Sequence, residues 1–253
     1  PKLTEVEYAE GQVNELLKHN PNVTYSDSLH LGVSLRSYRA EKLSAFVHAL
    51  LDINDSASFI FAEIKDKYPI VLTRDMEKAK RWLQDKVRGT ERTGVLISKE
   101  SARYKPLGIH VLPSGDEDAV HWFLEDKQDT RSSNYLEDAA TEIQVQGLEL
   151  DYTCLLWDAD MRYENGKWHF YRFNGKTAWK EILPYTISSS ERIKYMLNAY
   201  RVLLTRSRVG MVICVPKGNG TKNPNGYWED STRLPEYYDG TYKYLRSLGI
   251  EEI

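Results

Sequence analysis

Apolar residues recur along this chain in two alternating rhythms. Leu43, Phe46, Val47, Leu50 and Leu51 follow i, i+3, i+4, i+7 and i+8, one face of a 3.6-residue period, and predict a helix from about Ala40 to Asp52. Ile70 to Leu72 reads as a short buried strand, with Thr73 capping a helix whose inner side carries Met76, Ala79, Leu83 and Val87. Gly94 to Ile97 reads as a strand, and Glu117 to Leu124 as a helix carrying Val120, Trp122 and Phe123. Ile143 to Val145 and Tyr152 to Trp157 read as strands around a turn at Gly147; Leu155, Leu156 and Trp157 in succession suit a strand covered on both faces. Ser188 to Ser190 reads as the cap of the strongest helix, in which Ile193, Met196, Leu197, Tyr200, Leu203 and Leu204 keep the helical spacing. Met211 to Val215 is a strand stopped by Pro216, and a last helix runs from about Glu236 to Leu248 and ends at Gly249.

Two stretches differ. Residues 1–29 are mostly polar and read as a peripheral lead-in, followed by a short strand from His30 to Leu35. In residues 161–185, Trp168, Phe170, Tyr171 and Phe173 alternate around Asn174-Gly175, the signature of a hairpin-like insertion. Elsewhere strands alternate with helices, which favours an α/β fold: a mostly parallel sheet with helices on both faces. No repeat and no Pro-rich linker divides the chain, so residues 1–253 read as one enlarged domain.

Composition narrows the class more than the function. Hydrophobic residues at 41% and charged residues at 28% exclude a collagen-like, wholly disordered or coiled-coil chain. The two cysteines, Cys154 and Cys214, both lie in apolar runs, which excludes a disulfide scaffold and fits a reducing, cytoplasmic setting. No stretch approaches 18 uncharged apolar residues, so no membrane span is expected. A net charge of −3 argues against a protein that coats nucleic acid, but leaves room for one that holds a strand in a local groove.

Open parallel sheets place their chemistry on loops beyond the carboxyl ends of strands, and three candidate loops are rich in suitable side chains. Arg36 and Arg39 bracket a strand–helix junction, where a guanidinium fork and free backbone N–H groups suit an anionic oxygen. Gln146, Gly147 and Glu149 share the rim of a turn that Gly147 permits. Arg201, Arg206 and Arg208 crowd the end of the strongest helix, where the helix dipole also favours cations for purely structural reasons.

In this order the segments resemble motifs IV, V and VI of superfamily-one helicases. Ser37-Tyr38-Arg39-Ala40 is similar to motif IV, Asn-Tyr-Arg-Ser. Thr141-Glu142-Ile143-Gln144-Val145-Gln146-Gly147-Leu148-Glu149 is similar to motif V, Thr-x-His-x-x-(Lys/Gln)-Gly-x-Glu. Tyr200 to Arg208 is similar to motif VI, Tyr-Val-Ala-x-Thr-Arg-Ala-(Arg/Lys). Ile143 stands where motif V carries its histidine, which removes a side chain that often contacts the backbone there. Gln-Gly-Leu-Glu-Leu-Asp at 146–151, the strand ending Trp157-Asp158, Asn198 to Arg206, Met211 to Pro216 and the ending Tyr237 to Leu245 narrow the resemblance to the Schlafen-like P-loop helicases, from about residue 30 onward.

The resemblance implies a three-layer RecA-like fold, and an ATP site shared between two RecA-like domains. No Gly-x-x-x-x-Gly-Lys-(Ser/Thr) occurs in the 253 residues. The chain therefore reads as the second RecA-like domain, with an N-terminal P-loop domain absent from it that would mainly hold ATP and Mg²⁺. By resemblance Arg206 is the arginine finger and Arg39 its partner; Arg36, Gln146, Gly147 and Glu149 face nucleotide; and Ser98, Lys99, Thr141 and Gln144 face a DNA or RNA strand, single-stranded by expectation. Isolated, such a domain is expected to hydrolyse no ATP. Trp122 and Trp168 are weighed as base-stacking platforms, with burial in the core the better reading for each. Two alternatives stand beside the motor: a strand-binding or scaffold module of helicase shape, and a metal-dependent nuclease using Asp151, Asp158 and Asp160.

Overall fold

A computed structural model describes residues 20–21, 38–101, 103–113, 116–175 and 178–253. The lead-in, apart from residues 20–21, and the strand expected at His30 to Leu35 lie outside the described residues. The chain divides at Glu41, and the fold below is that of Lys42–Ile253.

Seven strands form one parallel sheet: β1 (Ile70–Thr73), β2 (Thr93–Ile97), β3 (His110–Val111), β4 (Asp138–Thr141), β5 (Leu150–Leu156), β9 (Ser207–Cys214) and β10 (Glu251–Glu252). Their order is β10-β1-β9-β5-β2-β4-β3. Successive side chains on the central strands enter opposite layers. Leu96, Leu155, Met211 and Ile213 join one apolar cluster, and Val95, Ile97, Cys154, Leu156, Val212 and Cys214 join the other. The first layer is completed by the buried residues Leu43 to Leu51 of α1 (Tyr38–Leu51), and by α2 (Ala57–Ile64), α5 (Ile187–Leu203) and α6 (Glu236–Ser247). The second is closed by α3 (Met76–Lys86), which lays Ala79 and Leu83 on the sheet. Helix α4 (Asp116–Leu124) adds the buried Trp122, whose ring would meet any Cβ placed at Gly94. This is the mostly parallel α/β sheet that the alternation predicts, in the three-layer RecA-like form that the resemblance implies.

The insertion is a separate antiparallel sheet, β6 (Met161–Glu164), β7 (Lys167–Phe173) and β8 (Trp179–Glu181). Asn165 and Gly166 both take positive φ between β6 and β7, the mirror-image turn that matches strand twist. The insertion is anchored by aromatics: Tyr163 stacks on Tyr244 at 4.1 Å, and Trp179 Nε1 donates to the Thr232 carbonyl at 2.8 Å. Among the described residues no helix is long and apolar enough to cross a membrane.

Several local expectations shift. The strand expected at Ile143 to Val145 is a chain of turns, and β4 is Asp138–Thr141, four residues upstream of which only Thr141 is β-branched. Asp75, not Thr73, caps α3, its Oδ1 accepting the Glu77 and Lys78 N–H groups. Thr186, not Ser188, caps α5, in a reciprocal box with Ser189.

Candidate functional site

Because all seven strands are parallel, their carboxyl ends share one edge of the sheet and their amino ends the other. The loops at 146–149 and 205–206, expected beyond carboxyl ends, lie at the amino ends of β5 and β9. The reason is the compactness of the β4–β5 connection. Val145 N–H bonds back to the Thr141 carbonyl at 3.2 Å and Leu148 N–H to Val145 at 3.1 Å, so the chain winds in helical turns from one edge to the other. The start of the motif V segment thus lies at the carboxyl edge and its end at the amino edge.

At the amino edge, Arg206 is the joint. It is buried at the end of α5, with Nε on the Val202 carbonyl at 3.2 Å and Nη1 on the Leu148 carbonyl at 3.4 Å. Its own carbonyl accepts the Leu150 N–H at 2.9 Å. The motif VI arginine therefore grips the loop that carries Gly147 and Glu149. Gln146 and Glu149 are exposed beside it. The neighbouring arginines are engaged elsewhere: Arg201 with Asp52 at 3.4 Å, and Arg208 with Asp151 at 2.8 Å.

Gly147 takes φ +85, yet a Cβ there would meet nothing within 4 Å. Its requirement is conformational and not spatial. Gly147→Ala is expected to cost about 1–2 kcal/mol, the left-handed penalty of an L-residue, lowering the melting temperature without disturbing the neighbouring packing. Comparison of thermal unfolding between the two proteins checks this.

At the carboxyl edge, Lys99 is exposed and its N–H donates to Glu142 Oε2 at 2.9 Å. The Tyr195 hydroxyl donates to the other oxygen of Glu142 at 3.0 Å; burial, then that carboxylate, pushes the phenol up to about 12. Gln144 Oε1 accepts from the Thr141 N–H and hydroxyl at 2.8 and 3.1 Å, while its Nε2 reaches the Pro113 carbonyl at 2.8 Å. These side chains tie strand ends together and border an apolar cavity of about 630 Å³, shared with Val120, Phe123 and Ile143. Ser98 is buried, and its Oγ accepts the Glu100 N–H at 3.2 Å. Of the four strand-facing candidates, Lys99 alone presents an exposed side chain. Arg36 lies outside the described residues, and Arg39 is described only as backbone in the first turn of α1.

The carboxylates weighed as a metal site are separated. Asp151 stands at the amino end of β5, where it accepts the Arg92 N–H at 2.8 Å, while Asp158 and Asp160 lie buried past the carboxyl end. Among the described residues no group of three His, Cys, Asp or Glu is arranged to hold a metal. Asp158 and Asp160 form a packing hub instead. Tyr238 of α6 donates to Asp158 at 3.1 Å and Tyr200 of α5 to Asp160 at 2.8 Å. Trp122 donates to the Asp138 carbonyl, and Trp168 packs among Trp157, Tyr163 and Tyr244, so both belong to the core and neither is a stacking platform.

What the sequence reading did not single out is the outer face of the insertion, where Arg172 and Lys180 come together. The signal, cations interleaved with aromatics across 168–185, was in the sequence, but which of them share a face depends on the hairpin register.

A family model described as Schlafen group 3, DNA/RNA helicase domain, matches residues 3–217. The match thus contains the segments at 37–40, 141–149 and 200–208, while the aromatic ending at Tyr237 to Leu245 lies beyond it. No curated protein and no solved structure matches the chain.

Proposed function

From the premise that this chain belongs to the Schlafen group 3 DNA/RNA helicase domain family, we propose that it is the second RecA-like motor domain of a nucleic-acid-dependent ATPase. The observation that carries the reading is the hold of Arg206 on the Leu148 carbonyl, which couples the motif V loop to the motif VI arginine. A nucleotide at the amino edge would meet a guanidinium, a glycine turn and the exposed carboxylate of Glu149. These groups suit the outer phosphate and the sugar; the triphosphate cradle and Mg²⁺ belong, in this reading, to a P-loop domain that faces this edge. ATP bound there supplies the phosphoryl group whose transfer drives the motor. This chain contributes charge: a guanidinium delivered across an interface stabilises the loose phosphoryl-transfer transition state.

The carboxyl edge takes the strand, with Lys99 on a phosphate and the main chain around Ser98, Thr141 and Gln144 held for it by the bonds described above. Because the winding β4–β5 connection touches both edges, a shift of Arg206 on nucleotide binding is felt at Thr141 through one short segment. Arg36 and Arg39 are, by resemblance alone, further nucleotide-facing candidates.

The test is ATP turnover by the full-length protein with and without single-stranded DNA or RNA. Turnover is expected to rise with added strand, and Lys99→Ala to raise the strand concentration giving half-maximal stimulation a few-fold, as expected when one phosphate is no longer neutralised. Turnover indifferent to any strand would sink the reading. It would favour the second one, a strand-binding or scaffold module without motor activity, for which the burial of Arg206 against main-chain carbonyls speaks directly.

A further inference from the structure

The insertion carries a cationic and aromatic face that the motor reading leaves unused. The pairing of β7 with β8 sets Arg172 directly opposite Lys180. The neighbouring Glu181 borders the same cavity, but its Oε1 is bound to His169 Nδ1 at 2.7 Å on the side of the strand pair away from Arg172 and Lys180. Like charges directly opposite one another destabilise a strand pair. Both side chains are exposed, and among the described residues neither has an ion-pair or hydrogen-bond partner. A cation pair held without a counter-charge is a standing cost that a bound anion offsets.

Three further features converge on the same place. Arg172 and Lys180 border a cavity of about 790 Å³ that Arg192 and the first residues of α5 also line. Arg192 gives one terminal nitrogen to Glu100 at 2.6 Å, and its Nε is buried with no partner among the described residues. The positive end of the α5 dipole opens onto this cavity. Tyr185, next in sequence to the cavity-lining Thr186 that caps α5, is 82% exposed.

We propose that this face binds the backbone of a single-stranded nucleic acid, with Arg172, Lys180 and Arg192 on phosphates and the Tyr185 ring stacked on a base. Cations beside an exposed aromatic are the pairing that sequence-tolerant single-strand binding uses. The face is continuous with the carboxyl edge: Arg192 holds Glu100, the residue after Lys99. It rests on the strand-binding half of the motor reading and extends it from one lysine to a track that crosses the insertion.

The test measures fluorescence anisotropy of labelled oligo-dT and oligo-U with the full-length protein across a salt series. Lys180→Glu is expected to weaken binding at least tenfold. It is also expected to leave the melting temperature equal or higher, because it turns a repulsive cross-strand pair into an attractive one with Arg172. Arg172→Ala with Lys180→Ala should flatten the slope of log affinity against log salt by about 1.4, at ~0.7 for each phosphate that is no longer neutralised. Tyr185→Ala should weaken binding about tenfold with the slope unchanged, the mark of stacking. Unchanged affinity and slope in all of these variants overturns the proposal. So does unchanged oligonucleotide binding with loss of binding to polyglutamate in Lys180→Glu, which assigns the face to an acidic protein segment. If these variants lose the strand but strand never stimulates ATP turnover, this face stands and the motor reading falls; if strand stimulates turnover while binding in the variants is unchanged, this face alone falls.

Discussion

Arg206→Lys is expected to lower ATP turnover by the full-length protein by 10³–10⁵, the range for an arginine supplied across a phosphoryl-transfer site. Lysine keeps the positive charge at the end of α5 but replaces a planar fork with a point charge, so the two-pronged hold on a phosphoryl oxygen is lost. The hydrogen bonds of Arg206 to neutral groups are worth little by comparison. Arg206 reaches the Val202 and Leu148 carbonyls and the Thr205 hydroxyl at 3.2, 3.4 and 3.4 Å, and net hydrogen bonds of this kind contribute about 1 kcal/mol each. Such acceptors are neutral and the bonds long, and a charged phosphate oxygen in the same reach is the stronger acceptor. Arg208→Lys is the matched control. The Arg208 side chain is more than half exposed in its pair with Asp151 and lysine keeps the charge, so turnover and melting temperature should barely move. Turnover within tenfold of the parent in Arg206→Lys, together with a lowered melting temperature, would reduce Arg206 to the helix-end tie it visibly forms.

The layers of the fold were legible because the central strands and α5 repeat their apolar periods cleanly, as Val95-Leu96-Ile97 and Met196, Tyr200 and Leu203 do. Helix α2 was not. Its run Ala57-Ser58-Phe59-Ile60-Phe61-Ala62 is so apolar that no face stands out, and Phe59 in fact points to solvent. The motif segments were legible as chemistry but not as places. Alternation of strands and helices says that a loop follows a strand; it does not say that eight residues, 142–149, wind back across the sheet and deliver Gly147 to the opposite edge from Thr141. The same limit hid Arg172 and Lys180. Their pairing depends on the turn at Asn174-Gly175 fixing the register, with Phe173 and Trp179 edge-on at 5.2 Å as the next pair. Asp158 and Asp160 looked like ligands because acidic residues after a strand often are. The tyrosines that bind them come from α5 and α6, tens of residues away, which nothing local reveals.

Asp160→Asn should make the protein more stable near neutral pH, and by less as the pH falls. Asp160 is fully buried; burial first, then the charge of Asp158, raises its carboxyl to about 7. Tyr200 donates to Oδ1 at 2.8 Å, and Oδ2 has no partner among the described residues, so a charge there lacks half of its compensation. An unfolded aspartate titrates at about 3.9. Between that pH and about 7 the unfolded chain releases a proton that the folded one keeps. The stability contributed by the protonated group is therefore fully present below about pH 4 and is lost as pH rises through about 7. Asparagine copies the protonated shape, keeps an oxygen for Tyr200, and never ionises. At pH 8 the variant should gain a few kcal/mol, since each tenfold shift in proton affinity corresponds to ~1.4 kcal/mol. That corresponds to a rise in melting temperature of several degrees, at about 2–4 °C per kcal/mol for a domain of this size. The gain should shrink steadily between pH 7 and 4. A variant that melts lower than its parent at pH 8, or whose gain is the same at pH 5, would show that Asp160 is charged in the folded protein, and that the contacts joining α5 to the end of β5 depend on that charge.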